Sequence, residues 1–297
     1  MAEASIPVDL LNPGQVFACV GFLEAADVLL GDAEGGFDWS SSAGVRFVLR
    51  AARDVNPFEE VLRFLAAAHV TSVAPARSTN ETEAWGVRTV RLPEGAPFPF
   101  PDPDSPATLP AALSPAGSPA GPRLILDHWG DDAGRDAVKF WGGGGGYPGA
   151  ALARDALDLV RAVAVSAASD PFSVSAPQSS SFRFDWRRDY IPIDSGFSLN
   201  RHERIVTVGF PLVEVLAALG LGSARPERVK PLEYRYGVVG REAAADAPAT
   251  FDPCLLRAAL GGAALPFPLR RFRMFLGWPA KEGQARAITT VTEERLA

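Results

Sequence analysis

The most unusual local feature of the chain is a run of five consecutive glycines just before a predicted helix. Glycine tolerates positive φ angles and allows the backbone to come close to a ligand, and the N–H groups at a helix N-terminus attract anions. The run therefore favours contact with a phosphate backbone; a flexible loop without a ligand and a nucleotide-cofactor site are the alternatives. The Gly-Lys-Ser/Thr ending of a P-loop is missing. The candidate contact residues are Lys139, Trp141, Gly142, Gly143, Gly144, Gly145, Gly146 and Tyr147.

A second candidate is the segment 182–190, in which arginines alternate with aromatic residues. Strand alternation would place Phe182, Phe184 and Trp186 on one face and Arg183, Asp185 and Arg187 on the other. Arginine binds phosphate bidentately, and aromatic rings stack on unpaired bases. We therefore predict that Arg183, Arg187 and Arg188 contact nucleic acid. The alternative is an amphipathic strand with a buried aromatic face, whose arginines are solvated or paired with the nearby aspartates.

A third basic segment, Arg-Arg-Phe-Arg at 270–273, lies in a predicted hairpin over 269–291. On a strand, Arg271 and Arg273 share one face, which predicts backbone-phosphate binding. The ordinary alternative is a sheet edge protected by charge.

The charge of the 297-residue chain is unevenly distributed. The net charge is −6, which excludes a uniformly basic nucleic-acid binder. Residues 1–181 carry 12 Lys and Arg against 22 Asp and Glu, whereas residues 182–297 carry 17 against 13. The second part is therefore net basic, and it contains two of the three candidate segments.

Composition also argues against several kinds of site. Two cysteines cannot make a disulfide framework, and the three histidines, His69, His128 and His202, show no metal-ligand spacing. We predict no metal, no cofactor and no catalytic residue. The sequence shows no signal peptide and no apolar run long enough for a membrane span, so a cytoplasmic location is expected.

Periodicity predicts an α+β fold with mostly antiparallel sheets. Over about the first 75 residues the order is β-α-β-β-α-β, typical of a ferredoxin-like unit, which we assign to residues 1–92. Asn12-Pro13-Gly14-Gln15 predicts a helix start with Asn12 as the cap and Gln15 in a capping box. Residues 93–122 contain ten prolines and predict a linker or exposed loop without a central strand. Residues 123–297 are assigned to a larger α+β region.

Four stretches together resemble a known family. They are VDLLNPGQVFACVGFLEAADVLLG, LILDHWGDDAGRDAVKFWGGGGG, FRFDWRRDYIPIDSGFSLN and GFPLVEVLAALGLGSARP. In this order they resemble the accessory or large-subunit-like protein of type I-U (now I-G) CRISPR-associated effector complexes, over most of residues 6–226. The family's sequence after the second stretch is more mixed than five glycines, so the resemblance implies only backbone roles for that run.

The resemblance implies a non-enzymatic subunit of an RNA-guided DNA surveillance complex in antiviral defence. Its expected partners are other effector subunits and guide RNA or target DNA, without a membrane. One alternative is a ferredoxin-like CRISPR RNA-processing endonuclease, with His128 or Tyr147 as the acid–base residue. The other is a purely structural bridging subunit whose basic residues contact protein carboxylates.

Overall fold

A computed structural model describes residues 1–115, 121–129, 147–178, 180–187, 208–243, 247–277 and 286–294. The chain is mixed α+β with mostly antiparallel sheets, which confirms the predicted fold class. Within the described residues there are five α-helices: α1 (Pro13–Leu30), α2 (Pro57–Ala67), α3 (Gly149–Val160), α4 (Pro211–Ser223) and α5 (Pro253–Leu260).

The largest sheet joins strands from both ends of the chain. In spatial order its strands are β1 (Ala2–Pro7), β3 (Arg46–Ala51), β2 (Glu34–Asp38), β11 (Glu233–Arg241), β12 (Leu269–Gly277) and β13 (Ala287–Glu294), with β10 (Glu227–Lys230) beside β11. The second sheet has the order β5 (Arg88–Arg91), β4 (His69–Ala74), β6 (Ala111–Ser114) and β7 (Leu124–Leu126). A small third sheet pairs β8 (Ala176–Pro177) with β9 (Val208–Gly209).

The first three strands have the spatial order expected of a split β-α-β unit, since β3 lies between β1 and β2 and is antiparallel to both. The prediction is wrong for the fourth strand. Strand β4 pairs with β5 and β6 in the second sheet and does not pair with β1. The sheet instead grows from the other side, where β11 pairs in parallel with β2 at Phe37 and Gly240. Strand propensity locates a strand in the sequence but does not choose its sheet.

The prediction for residues 93–122 is also wrong in part. Strand β6 lies in this segment and is central, between β4 and β7, with Ala111, Ala112 and Leu113 buried. The prolines flank this strand at Pro110 and Pro115 and leave its own N–H groups available for pairing.

One hydrophobic core connects the predicted regions 1–92 and 123–297. Helix α1 packs along α4, and the ring of Phe17 on α1 meets the ring of Tyr236 on β11 edge-on at 5.8 Å. The Tyr236 hydroxyl donates to the Leu10 carbonyl at 2.8 Å, which ties β11 to the chain before α1. The two regions therefore share one sheet and one core.

Helix α1 is apolar on nearly every face, and this composition reflects burial. Its 18 residues have a mean hydropathy of 1.4, enough to cross a membrane by length and composition alone. However, 78% of these residues are buried inside the structure. Helix α1 is thus apolar for the same reason as the core helix of a soluble protein.

Two glycines set the distance between α1 and α4. A Cβ added at Gly21 would lie 1.9 Å from the Leu216 carbonyl oxygen, and one at Gly220 would lie 2.2 Å from the Phe17 carbonyl oxygen. The two backbones are in contact at these positions, so any larger side chain forces the helices apart.

We expect Gly21→Ala to lower the free energy of unfolding by about 3 kcal/mol, because overpacking against backbone cannot be relieved by a rotamer change. Urea unfolding followed by circular dichroism measures this loss. The matched control is Gly261→Ala, where an added Cβ meets its nearest atom at 3.5 Å. An equal loss in both variants would contradict the close approach of α1 and α4.

Candidate functional site

The described part of the aromatic and arginine segment, residues 180–187, is not a strand. Phe182 and Phe184 are fully buried, as the alternation predicts, and their ring centroids lie 5.8 Å apart. The Trp129 ring stacks on Phe182 at 5.9 Å, and the ring of His128 meets Phe184 edge-on at 5.2 Å. The aromatic residues of two distant segments thus form one buried cluster.

Beside this cluster lies a buried polar network, which we call the junction: Asn12, Asp185, Arg187 and Glu214. The carboxylate of Asp185, a residue only 1% exposed, accepts from Asn12 Nδ2 at 2.9 Å and from Arg187 Nε at 3.0 Å. Glu214, in the first turn of α4, is fully buried and accepts from the backbone N–H groups of Phe184 and Asp185, both at 3.2 Å. The junction therefore joins the start of α1, the segment 184–187 and the start of α4.

The start of α1 differs from the predicted capping box. Asn12 makes no side-chain capping hydrogen bond, and its side-chain NH2 group donates to Asp185. Gln15 Oε1 accepts from the backbone N–H of Asp9 at 2.8 Å. Gly14 also packs on this segment, since a Cβ there would lie 2.5 Å from the Phe184 carbonyl oxygen. Asn12 and Gly14 of the Asn-Pro-Gly-Gln sequence thus contact the segment 184–185, while Pro13 still begins the helix.

Arg187, a predicted nucleic-acid contact, is engaged inside the protein. Its guanidinium pairs with Asp185, donates to the Phe172 carbonyl at 2.8 Å and lies 3.6 Å from the centroid of the Phe210 ring. These contacts match the alternative in which Asp185 pairs with arginine. Arg187 supports the turn, and its side chain is one-third exposed.

Arg183 has a different environment. Its φ is +66°, in the left-handed region that L-residues with a side chain rarely adopt. Its guanidinium makes no hydrogen bond and no ion pair within the described part of the chain. Burial lowers the pKa of this guanidinium, and the negative charge of Glu214 partly opposes that shift. Arg183 is therefore a half-buried cation whose donors meet no acceptor among the described residues.

The hairpin arginines are mostly paired. Strand β12 is not an edge, because β13 lies beside it. Arg273 donates to Glu294 at 2.7 Å and to Glu233 at 2.9 Å, and Arg271 donates to the Gly262 carbonyl at 3.3 Å. The hydrogen bond from Arg235 contributes most to lowering the pKa of Glu294. The hairpin arginines thus contact groups of the chain itself, and the strand that carries them is central, not the sheet edge that the alternative to phosphate binding assumed.

Of the residues in and around the glycine run, only Tyr147 lies within the described residues. Its hydroxyl donates to Asp155 Oδ2, and burial together with this hydrogen bond raises the pKa of Tyr147 to about 12. The other predicted contacts lie outside the described residues: Lys139, Trp141, Gly142–Gly146 and Arg188.

The two residues considered for acid–base catalysis lie in different surroundings. His128 is only 4% exposed and lies among the rings of the aromatic cluster. A Tyr147 hydroxyl with a raised pKa and a carboxylate partner is a weak proton donor at neutral pH. Within the described ranges, no group of three or more His, Cys, Asp or Glu residues is arranged to hold a metal ion.

A cleft of about 390 Å³ lies on the Arg187 side of the junction. Its lining includes Pro7, Asp9, Arg46, Asp170, Phe172 and Arg187. Arg46 bonds to Ser5, and the exposed carboxylates of Asp9 and Asp170 balance the two arginines. This mixture of charges does not favour a phosphate, so we assign no ligand to the cleft.

Two features of the site were not recognised from sequence. Glu214 is the one charged residue in the apolar stretch PLVEVLAALGLG, and a lone carboxylate in such a helix signals a buried partner. Trp186, expected on the same face as Phe182 and Phe184, is instead 39% exposed. The break in alternation at the buried Asp185 accounts for this difference.

Comparison with known proteins gives no family: no family model, no curated protein and no solved structure matches this chain.

We expect Asp185→Ala to lower the free energy of unfolding by about 3 kcal/mol, because it leaves the Arg187 guanidinium and the buried Asn12 amide without their partner. Denaturant unfolding of the full chain measures the change. Asp170→Ala, which removes an exposed carboxylate at the edge of the nearby cleft, is the matched control and should change stability by less than about 0.5 kcal/mol. Equal stability of the Asp185→Ala variant and the wild type would show that the junction does not hold the fold together.

Proposed function

We propose that this chain is a non-enzymatic subunit of a CRISPR RNA-guided DNA surveillance complex, where it contacts the nucleic-acid backbone and neighbouring subunits. The resemblance rests on four stretches separated by up to about 200 positions, and described residues from all four meet in the fold. Asn12, Asp185 and Glu214 belong to the junction, and Trp129 stacks on Phe182 beside it. Stretches that share one structural unit support a resemblance more strongly than unrelated surface matches do.

The observation that carries nucleic-acid contact is the state of Arg183. A left-handed backbone costs a non-glycine residue about 1 kcal/mol or more. Buried Phe182 and Phe184 hold the backbone on both sides of Arg183, so the strained geometry is kept in the fold. Burial with no hydrogen-bonded partner among the described residues disfavours the guanidinium charge. A phosphate oxygen would satisfy these donors and offset that penalty.

This proposal moves the nucleic-acid contact away from the hairpin. Arg273 pairs with Glu233 and Glu294, so its charge is neutralised within the sheet, whereas Arg271 donates only to the Gly262 carbonyl. The proposed contact surface is the turn 183–187; Lys139, Trp141, Gly142–Gly146 and Arg188, also proposed as contacts, lie outside the described residues.

Two further parts of the proposal concern the scaffold and the location. We propose that β1, β2, β3, α1 and α2 are a ferredoxin-like unit in which β4 does not pair with β1 and the sheet is extended by β11 at the β2 edge. The location we propose is the cytoplasm, where guide RNA and target DNA meet.

A second candidate, a purely structural bridging subunit, is favoured by the pairing of Arg187 and Arg273 with carboxylates of the chain itself. In that case the basic residues stabilise the fold or an assembly, and nucleic acid is held by other subunits. The two candidates differ in what happens when Arg183 is neutralised.

We expect Arg183→Gln to weaken binding to a short labelled RNA–DNA duplex and to single-stranded RNA by about fivefold, and to reduce the salt dependence of binding by about one ionic contact. Fluorescence anisotropy of the full-length protein at several salt concentrations measures both quantities. Arg183→Gly, which relieves the backbone strain, should weaken binding equally while preserving or raising stability.

The matched control is Arg273→Gln, which removes a paired arginine and should lower stability with little effect on affinity. If the wild-type protein does not bind, or if the Arg183 variants bind with unchanged affinity and salt dependence, the nucleic-acid proposal is wrong and the bridging subunit is the better account.

A further inference from the structure

We propose that Trp186 is a stacking platform for an unpaired nucleobase, so that the nucleic acid held at the turn 183–187 is single-stranded. This inference rests on the proposed function and narrows it, because a paired base cannot offer its face to an indole ring.

The first observation is the exposure of Trp186. Its side chain is 39% exposed, whereas Trp129 is 2% exposed and Trp39 and Trp85 are half-buried. In the part of the chain that the structure describes, the Trp186 indole makes no hydrogen bond and no ring contact. Folding alone favours burial of so large an apolar ring. An exposed indole held at one place is therefore suited to contact with a ligand.

The second observation is that the backbone around Trp186 is held on both sides. Glu214 accepts from the N–H of Asp185, and Asp185 Oδ1 accepts from the N–H of Arg187 at 2.9 Å. The Arg187 guanidinium is fixed by Asp185 and the Phe210 ring. Because the turn is already ordered, a base that stacks on Trp186 binds with little loss of backbone entropy in the protein.

The third observation separates a nucleotide from an apolar protein partner. The donors of Arg183 have no hydrogen-bond acceptor in the described chain, and its Cα lies at most about 11 Å from the Cα of Trp186, because the two residues are three positions apart. The carboxylate nearest to Trp186 in sequence, Asp185, is buried and paired, so the turn itself presents no exposed anion to repel a phosphate. An aromatic face and an available guanidinium within one short turn match the base and phosphate of an unpaired strand.

The test compares a short fluorescein-labelled single-stranded RNA with its blunt RNA–DNA duplex, using anisotropy of the full-length protein at one low salt concentration. We expect Trp186→Ala to weaken binding of the single strand by about tenfold, with duplex affinity nearly unchanged. Trp186→Tyr, which keeps an aromatic face, should retain affinity to within about threefold. Leu11→Ala is the control, since Leu11 is a similarly exposed apolar residue (41%) that precedes Asn12 of the junction; it should leave both affinities unchanged.

The outcomes separate this inference from the proposed function. If Arg183→Gln weakens binding but Trp186→Ala does not, the protein binds nucleic acid and the stacking platform is wrong. Equal weakening of single strand and duplex by Trp186→Ala would also overturn it, since stacking on a free base would then not be the cause. If the wild-type protein binds neither probe, the proposed nucleic-acid contact is wrong, and the stacking platform is wrong with it. Each variant should unfold at the same midpoint temperature as the wild type, which shows that a loss of affinity does not come from a loss of folded protein.

Discussion

Burial of the Asp185 carboxylate beside the starts of α1 and α4 is the constraint on which the arrangement of the site depends. A carboxylate removed from water must be compensated, and here Asn12 and Arg187 supply the donors. Asn12 precedes α1 and Glu214 lies in α4, and both bond to the segment 184–187. Gly21 and Gly220 allow these two helices to lie in contact. Glu214 then fixes the adjacent backbone. The geometry of the turn 183–187, including the strained Arg183 and the exposed Trp186, follows from these contacts.

The helices were predictable because their signals are local. Asn56 caps α2 and Asp252 caps α5, each followed by proline, so the start of each helix is marked by neighbouring residues. The sheet that β4 joins was not predictable, because the sequence of this strand is equally compatible with either sheet. Asn12 and Asp185 are 173 positions apart, so nothing near either residue in sequence reveals that they bond. Alternation correctly predicted buried Phe182 and Phe184 but failed at Asp185, where a buried ion pair replaces the next strand position.

Net charge does not show which arginines already pair with carboxylates of the chain itself. The basic balance of residues 182–297 led to the hairpin arginines, yet Arg270 pairs with Glu293 and Arg273 with Glu294 and Glu233 across neighbouring strands. What matters for binding is whether a guanidinium still has donors to offer, and whether burial penalises its charge until an anion arrives. By this criterion Arg183 distinguishes itself from the paired arginines, although the sequence treats them alike.

The most direct test of nucleic-acid contact at the turn is photo-crosslinking of the full-length protein to single-stranded RNA containing 4-thiouridine, followed by proteolysis and mass spectrometry. The account predicts that the cross-linked base is attached to a peptide containing residues 183–187, with Trp186 as the principal site. Cross-links confined to the β12–β13 hairpin, or no cross-link at protein concentrations that saturate binding, would contradict it.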